Sequence, residues 1–330
     1  MISRGLLALV LLTAGVLHIV CPHLFDQAIP FGPKFAINVL AGILEIILAV
    51  GLMIKRFRDR AAQVTALWFL ALIPIHIYVS LQDLEFQGMK LTGLLWLRTF
   101  FQPLLYFWAL SLQDKGWIIS QRWSDVVFLH YKVDAKKLQE LTPFPLDLYQ
   151  GEAIVSIVPF MMGQIRFPFL CSVPGLSQLL ELNLRTYVRV NGRPAVYFFT
   201  LDSNHFPGVL VARWFFALPY RWIKLTFKKT FGYEFKSPQF EIKATIGKRK
   251  DSTAFDLWST ERYALFTNRG NTSLVGLVEH APWDLCELNI QSLKDNFSSL
   301  LGEELKMKEL VAASYAEKLD VRFRPFRRLE

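Results

Sequence analysis

Only three cysteines occur in 330 residues, Cys21, Cys171 and Cys286, and none belongs to a CxxC pair or stands at metal-ligand spacing from a histidine. That scarcity argues against a disulfide framework and against a metal site, and it predicts free thiols in a reducing compartment. No nucleic-acid motif accompanies the net charge of +9, so nucleic acid is not an expected partner. The N-terminus lacks a small-x-small cleavage site before Pro22, although Arg4 precedes an apolar run, and the expectation is an uncleaved first helix. Charge is also scarce in the first third. Residues 1–112 hold eight Lys or Arg and five Asp or Glu, against 29 and 23 in the remainder. This shift predicts two domains, 1–115 and 116–330. The +6 of the second part suits a soluble domain beside an anionic leaflet, and equally an ordinary solubilising balance.

Long apolar runs fill the space that charge leaves. Gly5–Cys21, Phe35–Ile54, Ala62–Leu81 and Leu91–Leu112 are each long enough, or nearly so, to cross a bilayer core at about 1.5 Å per residue. They predict four transmembrane helices and hence a lipid bilayer as partner. Arg4 and the Lys55, Arg56, Arg58, Arg60 loop lie on one side, while the opposite loops pair Lys34 and Lys90 with Asp26, Asp83 and Glu85. The positive-inside rule then makes the N-terminus and the C-terminal domain cytoplasmic.

Each span carries a residue that hydrocarbon rejects: His18, Glu45, His76, and Arg98 with Gln102. An ionisable group at bilayer depth costs about 2.5 to 3.5 kcal/mol even on lenient scales. With that topology Glu45 lies about 14 Å and Arg98 about 10 Å below the outer boundary, and the two histidines fall in the same half. Two readings stand. One is a structural Glu45–Arg98 ion pair with hydrogen-bonded histidines; the other is a quinone, haem or proton site. No paired histidines at matching depth announce haem ligation, which leaves quinone as the candidate cofactor.

The strings GVLHIVCPHLF, GILEIILAVGLMIKRFRDRAA and WLRTFFQPLLYFWAL resemble the DoxX-like four-helix membrane family over residues 5–112. The shared features are the His18 to Pro22 spacing, Glu45 before the basic loop, and Arg98 with Gln102 in the last helix. His76 departs from the asparagine that relatives often carry. The resemblance implies a four-helix bundle, and quinone chemistry in the member that gave the family its name.

From Trp123 onward the pattern changes to short β-branched and aromatic runs: 153–161, 182–190, 195–201, 240–246, 254–266 and 273–278. Asn191-Gly192 is a hairpin signal. Helices are expected at Pro207–Leu218, with Asp202 and Ser203 as nearby capping residues, and at Ser292–Ser314. In ELNLRTYV the two-residue period sends Glu181, Asn183, Arg185 and Tyr187 to one face. That face is either the wet side of a half-exposed strand or, lining a barrel, a site for a small polar or anionic ligand. Arg213 faces either a pocket or its rim. His280 is expected to pack on Trp283, and the basic clusters at 228–229, 248–250 and 322–328 are either lipid contacts or solvated loops.

Seven ordered blocks, SDVVFLHYKV, LYQGEAIVSIVPF, ELNLRTYV, YFFTLDS, ARWFFALPY, STERYALF and EHAPWDL, resemble the YqjF-like family of uncharacterised bacterial proteins. That family is similar in fold to acetoacetate decarboxylase, which implies a closed β-barrel with a central pocket. In the decarboxylase a strand glutamate, a hairpin partner and a helix precede a Pro-Lys whose lysine forms the Schiff base. Here Glu181, YFFTLDS, the Pro207 helix and Pro219-Tyr220 follow that order, and Tyr220 takes the lysine's place. Lys224 is the nearest amine, displaced enough to be redirected. The resemblance therefore implies the fold without lysine-imine decarboxylation.

The expectation is a bacterial inner-membrane, multi-pass protein: a four-helix bundle followed by a mainly β domain with a decarboxylase-like barrel that binds a small molecule. A membrane oxidoreductase component and a non-catalytic anchor are the alternatives.

Overall fold

The computed structural model describes residues 2–26, 29, 32–82, 85–86, 89–90, 92–172, 178–230, 232–297 and 309–329. Two compact units divide the chain, Met1–Ile118 and Ile119–Glu330.

The first unit is helical. It contains α1 (Ile2–Val20), α2 (Lys34–Met53), α3 (Arg58–Ala71), α4 (Ile73–Ser80) and α5 (Thr92–Ser111), with a two-residue hairpin, β1 (Glu85–Phe86) and β2 (Met89–Lys90), before α5. α1 and α2 pack through glycines: a Cβ on Gly15 would lie 2.6 Å from the Gly42 carbonyl oxygen, and one on Gly42 equally close to that of Gly15. No larger residue permits that approach. Pro74, in the first turn of α4, needs no hydrogen-bonding N–H there, so α3 and α4 follow each other with only Leu72 between them. Ser3–Val20, Lys34–Met53 and Arg58–Ser80 are long and apolar enough to cross a membrane. The fourth expected span, α5, has 20 residues, but Arg98, Gln102 and Pro103 leave it less apolar than the other three.

Charges gather at one end of this unit. Asp114 accepts hydrogen bonds from Arg4 (3.2 Å) and Arg58 (3.1 Å), and Asp59 accepts the backbone N–H groups of Asp114 (2.5 Å) and Lys115 (3.1 Å). The start of α1, the start of α3 and the segment after α5 thus share an end.

The second unit is mainly β. Its long strands are β3 (Ile119–Val133), β4 (Ala153–Arg166), β5 (Leu179–Val190), β6 (Arg193–Ser203), β10 (Phe240–Arg249), β13 (Leu285–Asp295) and β14 (Glu309–Phe323). Shorter ones are β7 (Tyr220–Trp222), β8 (Thr226–Lys228), β9 (Tyr233–Lys236), β11 (Ala264–Arg269), β12 (Thr272–Glu279) and β15 (Arg327–Arg328). Three helices interrupt them: α6 (Ala135–Glu140), α7 (Phe206–Phe216) and α8 (Ala254–Thr260). Pairing runs β12–β11–β6–β5–β4–β3–β14, and β12 also pairs β14 through Val278–Phe323 and Glu279–Arg322, so this path returns on itself. β13, β10, β9 and β8 extend from β14 as an outer layer. The β5–β6 hairpin turns at Asn191 (φ 50°) and Gly192 (φ 75°), two successive positive φ values that an Asn-Gly turn supplies at low cost.

β5 is buried on both faces from Glu181 to Val188. Leu182 and Leu184 join Val127, Leu129, Phe235 and Ile242 in the core beneath the outer layer. The alternate residues turn to a second core that holds Tyr187, Phe128, Phe160 and Trp283. The polar face of ELNLRTYV is therefore not wet.

Three sequence expectations change here. Ser292–Ser314 is not a helix where described: residues 292–295 complete β13 and 309–314 begin β14, while 298–308 lie outside the described residues. The helix-favouring run ELVAASYAEKL is held extended by pairing with β3 along its length. Residues 254–260 form α8 rather than strand, because Thr253 and Asp256 make a reciprocal capping box. The cap of α7 is His205, whose Nδ1 accepts the Gly208 N–H at 3.1 Å, in place of Asp202 or Ser203. Asp202 is engaged by Arg221, and Ser203 accepts the His205 N–H.

Candidate functional site

A cavity of about 460 Å³ opens between the start of β5, the end of β6, α7 and β7. Leu201, Leu218, Leu265, Phe198, Trp123 and Trp283 supply apolar wall, and Glu181, Asn183, Arg185, Ser203, Tyr220 and Arg262 supply polar groups. The two-residue period of β5 delivers Glu181, Asn183 and Arg185 to one face. β7 lies parallel to β6 with Tyr220 opposite Leu201, which sets the phenol against the β5 carboxylate.

Tyr220 Oη donates to Glu181 Oε2 at 2.5 Å. Glu181 is 3% exposed. Burial pushes its carboxyl up to about 7, the neighbouring Asp202 charge adds to this, and hydrogen bonds from Tyr220 and Asn183 oppose it. The Tyr220 hydroxyl is held well above its ordinary value by burial and then by Glu181. Asp202 is itself neutralised by a two-pronged contact from Arg221 at 2.7 and 2.8 Å.

Arg185 and Arg262 contrast sharply. Both are buried and both line the cavity. Arg262 donates to Asp147 at 2.5 Å and to the Trp258 carbonyl at 2.6 Å, and its guanidinium lies 4.6 Å from the Trp258 ring. Arg185 forms no ion pair among the described residues, and its Nε is buried without a hydrogen-bond partner. Its charge rests over the rings of Phe128 (5.5 Å) and Tyr187 (5.8 Å). Asn183 Oδ1 is likewise buried and unpartnered. The apolar cavity thus presents one guanidinium without an ion pair and one amide oxygen without a donor among the described residues.

Tyr187 does not line the cavity. It lies beneath Arg185, where its hydroxyl meets Ser156 Oγ at 2.8 Å and His130 Nδ1 at 3.2 Å. His130 is fully buried, and that burial, with the Arg185 charge next, lowers its imidazole to about 3, so the ring is neutral. Arg213 is exposed and outside the cavity, on the solvent side of α7. Lys224 is exposed as well, and among the described residues no lysine lines the cavity. His280 stacks on Tyr263 (4.6 Å), lies 5.6 Å from Trp283, and contributes to the cavity wall.

Several of these roles were hidden in sequence. Arg262 and Ser203 carry no local signal, and His130 gains its partners only from residues 26 and 57 positions away. Strand alternation alone found the β5 set.

In the helical unit, Glu45 is buried, but its hydrogen-bond partner is Trp68 Nε1 (3.1 Å) and not Arg98, with which it forms no ion pair. Indole N–H from the neighbouring α3 reaches the carboxylate first. His18 Nδ1 meets Asn38 Oδ1 at 3.0 Å, and Asn38 donates to Asp26 and to the Pro22 carbonyl. Gln102 donates to the Phe69 carbonyl at 2.9 Å. Among the described residues His76 Nδ1 and Glu45 Oε2 are buried without hydrogen-bond partners. Asn38, 1% exposed, was not anticipated. Among the described residues no cluster of His, Cys, Asp or Glu is arranged for a metal ion.

Comparison with known proteins gives two family matches. Residues 120–320 match DUF2071, described as an uncharacterised conserved protein, and residues 7–113 match DUF8561, a domain of unknown function, where the sequence resembled the DoxX-like family. The uncharacterised protein YqjF of Bacillus subtilis (strain 168) is 36% identical over 238 residues, which cover 66% of this chain and 96% of that protein. Among solved structures, acetoacetate decarboxylase from Legionella pneumophila is similar at 14% identity and a TM-score of 0.48, over 64% of this chain and 87% of that one. An acetoacetate decarboxylase-like enzyme from Sphingomonas wittichii RW1 is similar at 14% identity and 0.47, over 66% and 95%.

Proposed function

The chain belongs to the DUF2071 family, and on that premise we propose that its C-terminal unit is a β-barrel that binds a small carboxylic acid through Arg185. One observation carries this reading: Arg185 is 8% exposed, lines an apolar cavity, and forms no ion pair among the described residues. A buried cation costs several kcal/mol unless something compensates it, and a ligand carboxylate supplies two charge-assisted hydrogen bonds in the geometry of the guanidinium fork. Asn183 and then Glu181 continue the same face of β5 from Arg185. Glu181, with a carboxyl near 7, serves as hydrogen-bond donor when protonated and as acceptor when ionised. Among the described residues the cavity offers no amine for imine chemistry, which favours a binding site over a lysine-dependent decarboxylase.

The N-terminal unit acts in this reading as a membrane anchor of the bacterial inner membrane. The basic loop at Lys55–Arg60 favours a cytoplasmic location for both Arg4 and the C-terminal unit. A second reading, in which a DoxX-like bundle handles quinone or protons, draws on the unpartnered Glu45 Oε2 and His76 Nδ1. A quinone band in the absorption spectrum of an organic extract of the purified protein would favour it.

Thermal-shift screening of the full-length protein against small carboxylic acids tests the main reading. Stabilisation is expected in the wild type and its loss in Arg185→Lys, because an ammonium cannot reproduce the planar fork. Equal stabilisation of both proteins would sink the assignment.

A further inference from the structure

α7 presents two unlike faces. Gly208, Val211 and Ala212 line the Arg185 cavity. Phe206, Leu210 and Trp214 follow at four-residue spacing along an exposed stripe. Trp214 is 79% exposed, and Trp222, 65% exposed, lies with its ring 5.3 Å from that of Phe206. The rim of the cavity is apolar surface too, since Leu170 and Val211 both line it and are both exposed. Contiguous surface of this kind marks an interaction site.

The segment that builds it carries charge of one sign. From Asn204 to Tyr233 the chain carries Arg213, Arg221, Lys224, Lys228 and Lys229 and not one Asp or Glu. Arg221 and Lys229 are engaged by Asp202 and Asp125, which leaves Arg213, Lys224 and Lys228 as exposed cations on the segment that carries the aromatic stripe. Tryptophan and phenylalanine with flanking arginine and lysine is the composition of a surface that sits at a lipid headgroup layer. Each basic residue near an anionic leaflet contributes about 1 kcal/mol. The same chain carries three helices of membrane-crossing length.

We propose that the exposed face of α7 docks on an anionic lipid surface, and that the cavity takes its ligand from that surface as an amphiphilic carboxylic acid. The acid group reaches Arg185 and the alkyl chain lies along the apolar wall between α7 and β6. The docking half stands on the α7 surface alone; the ligand half rests on the carboxylate-site reading above.

The test uses the full-length protein with Cys21, Cys171 and Cys286 changed to Ser, reconstituted in phosphatidylcholine vesicles with and without phosphatidylglycerol. A nitroxide is placed at Trp214→Cys, and a control at Glu140→Cys on α6, which follows the far end of β3. Relaxation by oxygen and by a water-soluble nickel complex should report a lipid-like label at position 214 in the anionic vesicles and a water-like label at 140. A water-like label at 214 in both lipids overturns docking whatever the cavity binds, and so does label-to-label broadening, the mark of a second copy on this face. In amphipol, octanoate should bind at least about tenfold more tightly than acetate, given the added methylenes. Acetate bound through Arg185 with no gain for octanoate would overturn the amphiphile while leaving the carboxylate site intact.

Discussion

Tyr220 and Glu181 share a 2.5 Å hydrogen bond inside an apolar cavity. The phenol, held well above its ordinary value by burial and then by Glu181, adds no charge of its own at neutral pH. Because the folded carboxyl titrates near 7 and an exposed one near 4.5, the folded state binds more protons between those values. Its stability contribution is thus complete below about 4.5 and lost as pH rises through about 7. Glu181→Gln should flatten the pH dependence of chemical denaturation in that window, by at most on the order of 3 kcal/mol. Tyr220→Phe removes an interaction that lowers the carboxyl and should move the transition to higher pH. A wild-type profile unchanged by Glu181→Gln would contradict this.

Arg185 and Arg262 should respond oppositely to neutralisation. Without ligand, Arg185→Met removes an uncompensated buried charge and should leave stability unchanged or raise it by about 1 kcal/mol. Asp147→Asn strands Arg262 and should cost about 3 to 5 kcal/mol. Arg189→Gln, on the 46% exposed partner of the same Asp147, should cost less than about 1 kcal/mol. Urea titration separates the three.

The helical unit allows a sharper test of Glu45. Its hydrogen bond from Trp68 is worth about 1 kcal/mol, so a double-mutant cycle of Glu45→Leu with Trp68→Phe should show larger coupling than one with Arg98→Ala. Greater coupling to Arg98 would restore the ion pair read from the sequence.

What the sequence disclosed follows from the range of the interactions involved. The alternation of ELNLRTYV and the Asn191-Gly192 turn are local, and they placed the β5 side chains and the hairpin. The capping box at Thr253 and Asp256 was equally local, but the β-branched and aromatic run that follows it masked α8. β14 was illegible because Ala, Glu, Lys and Leu favour helix and only pairing with β3, nearly 200 residues earlier in the chain, holds it extended. The same limit hid Arg262 and His130. Arg213 sits one helical step off the cavity-facing side of α7, a distinction that depends on where the helix lies and not on its sequence.

Titration calorimetry of the full-length protein with a small carboxylic acid and with its isosteric amide tests the carboxylate site most directly. The acid should bind the wild type, the amide should bind at least about tenfold more weakly, and Arg185→Lys should abolish that preference. Equal binding of acid and amide, or a preference that survives in Arg185→Lys, would contradict the account.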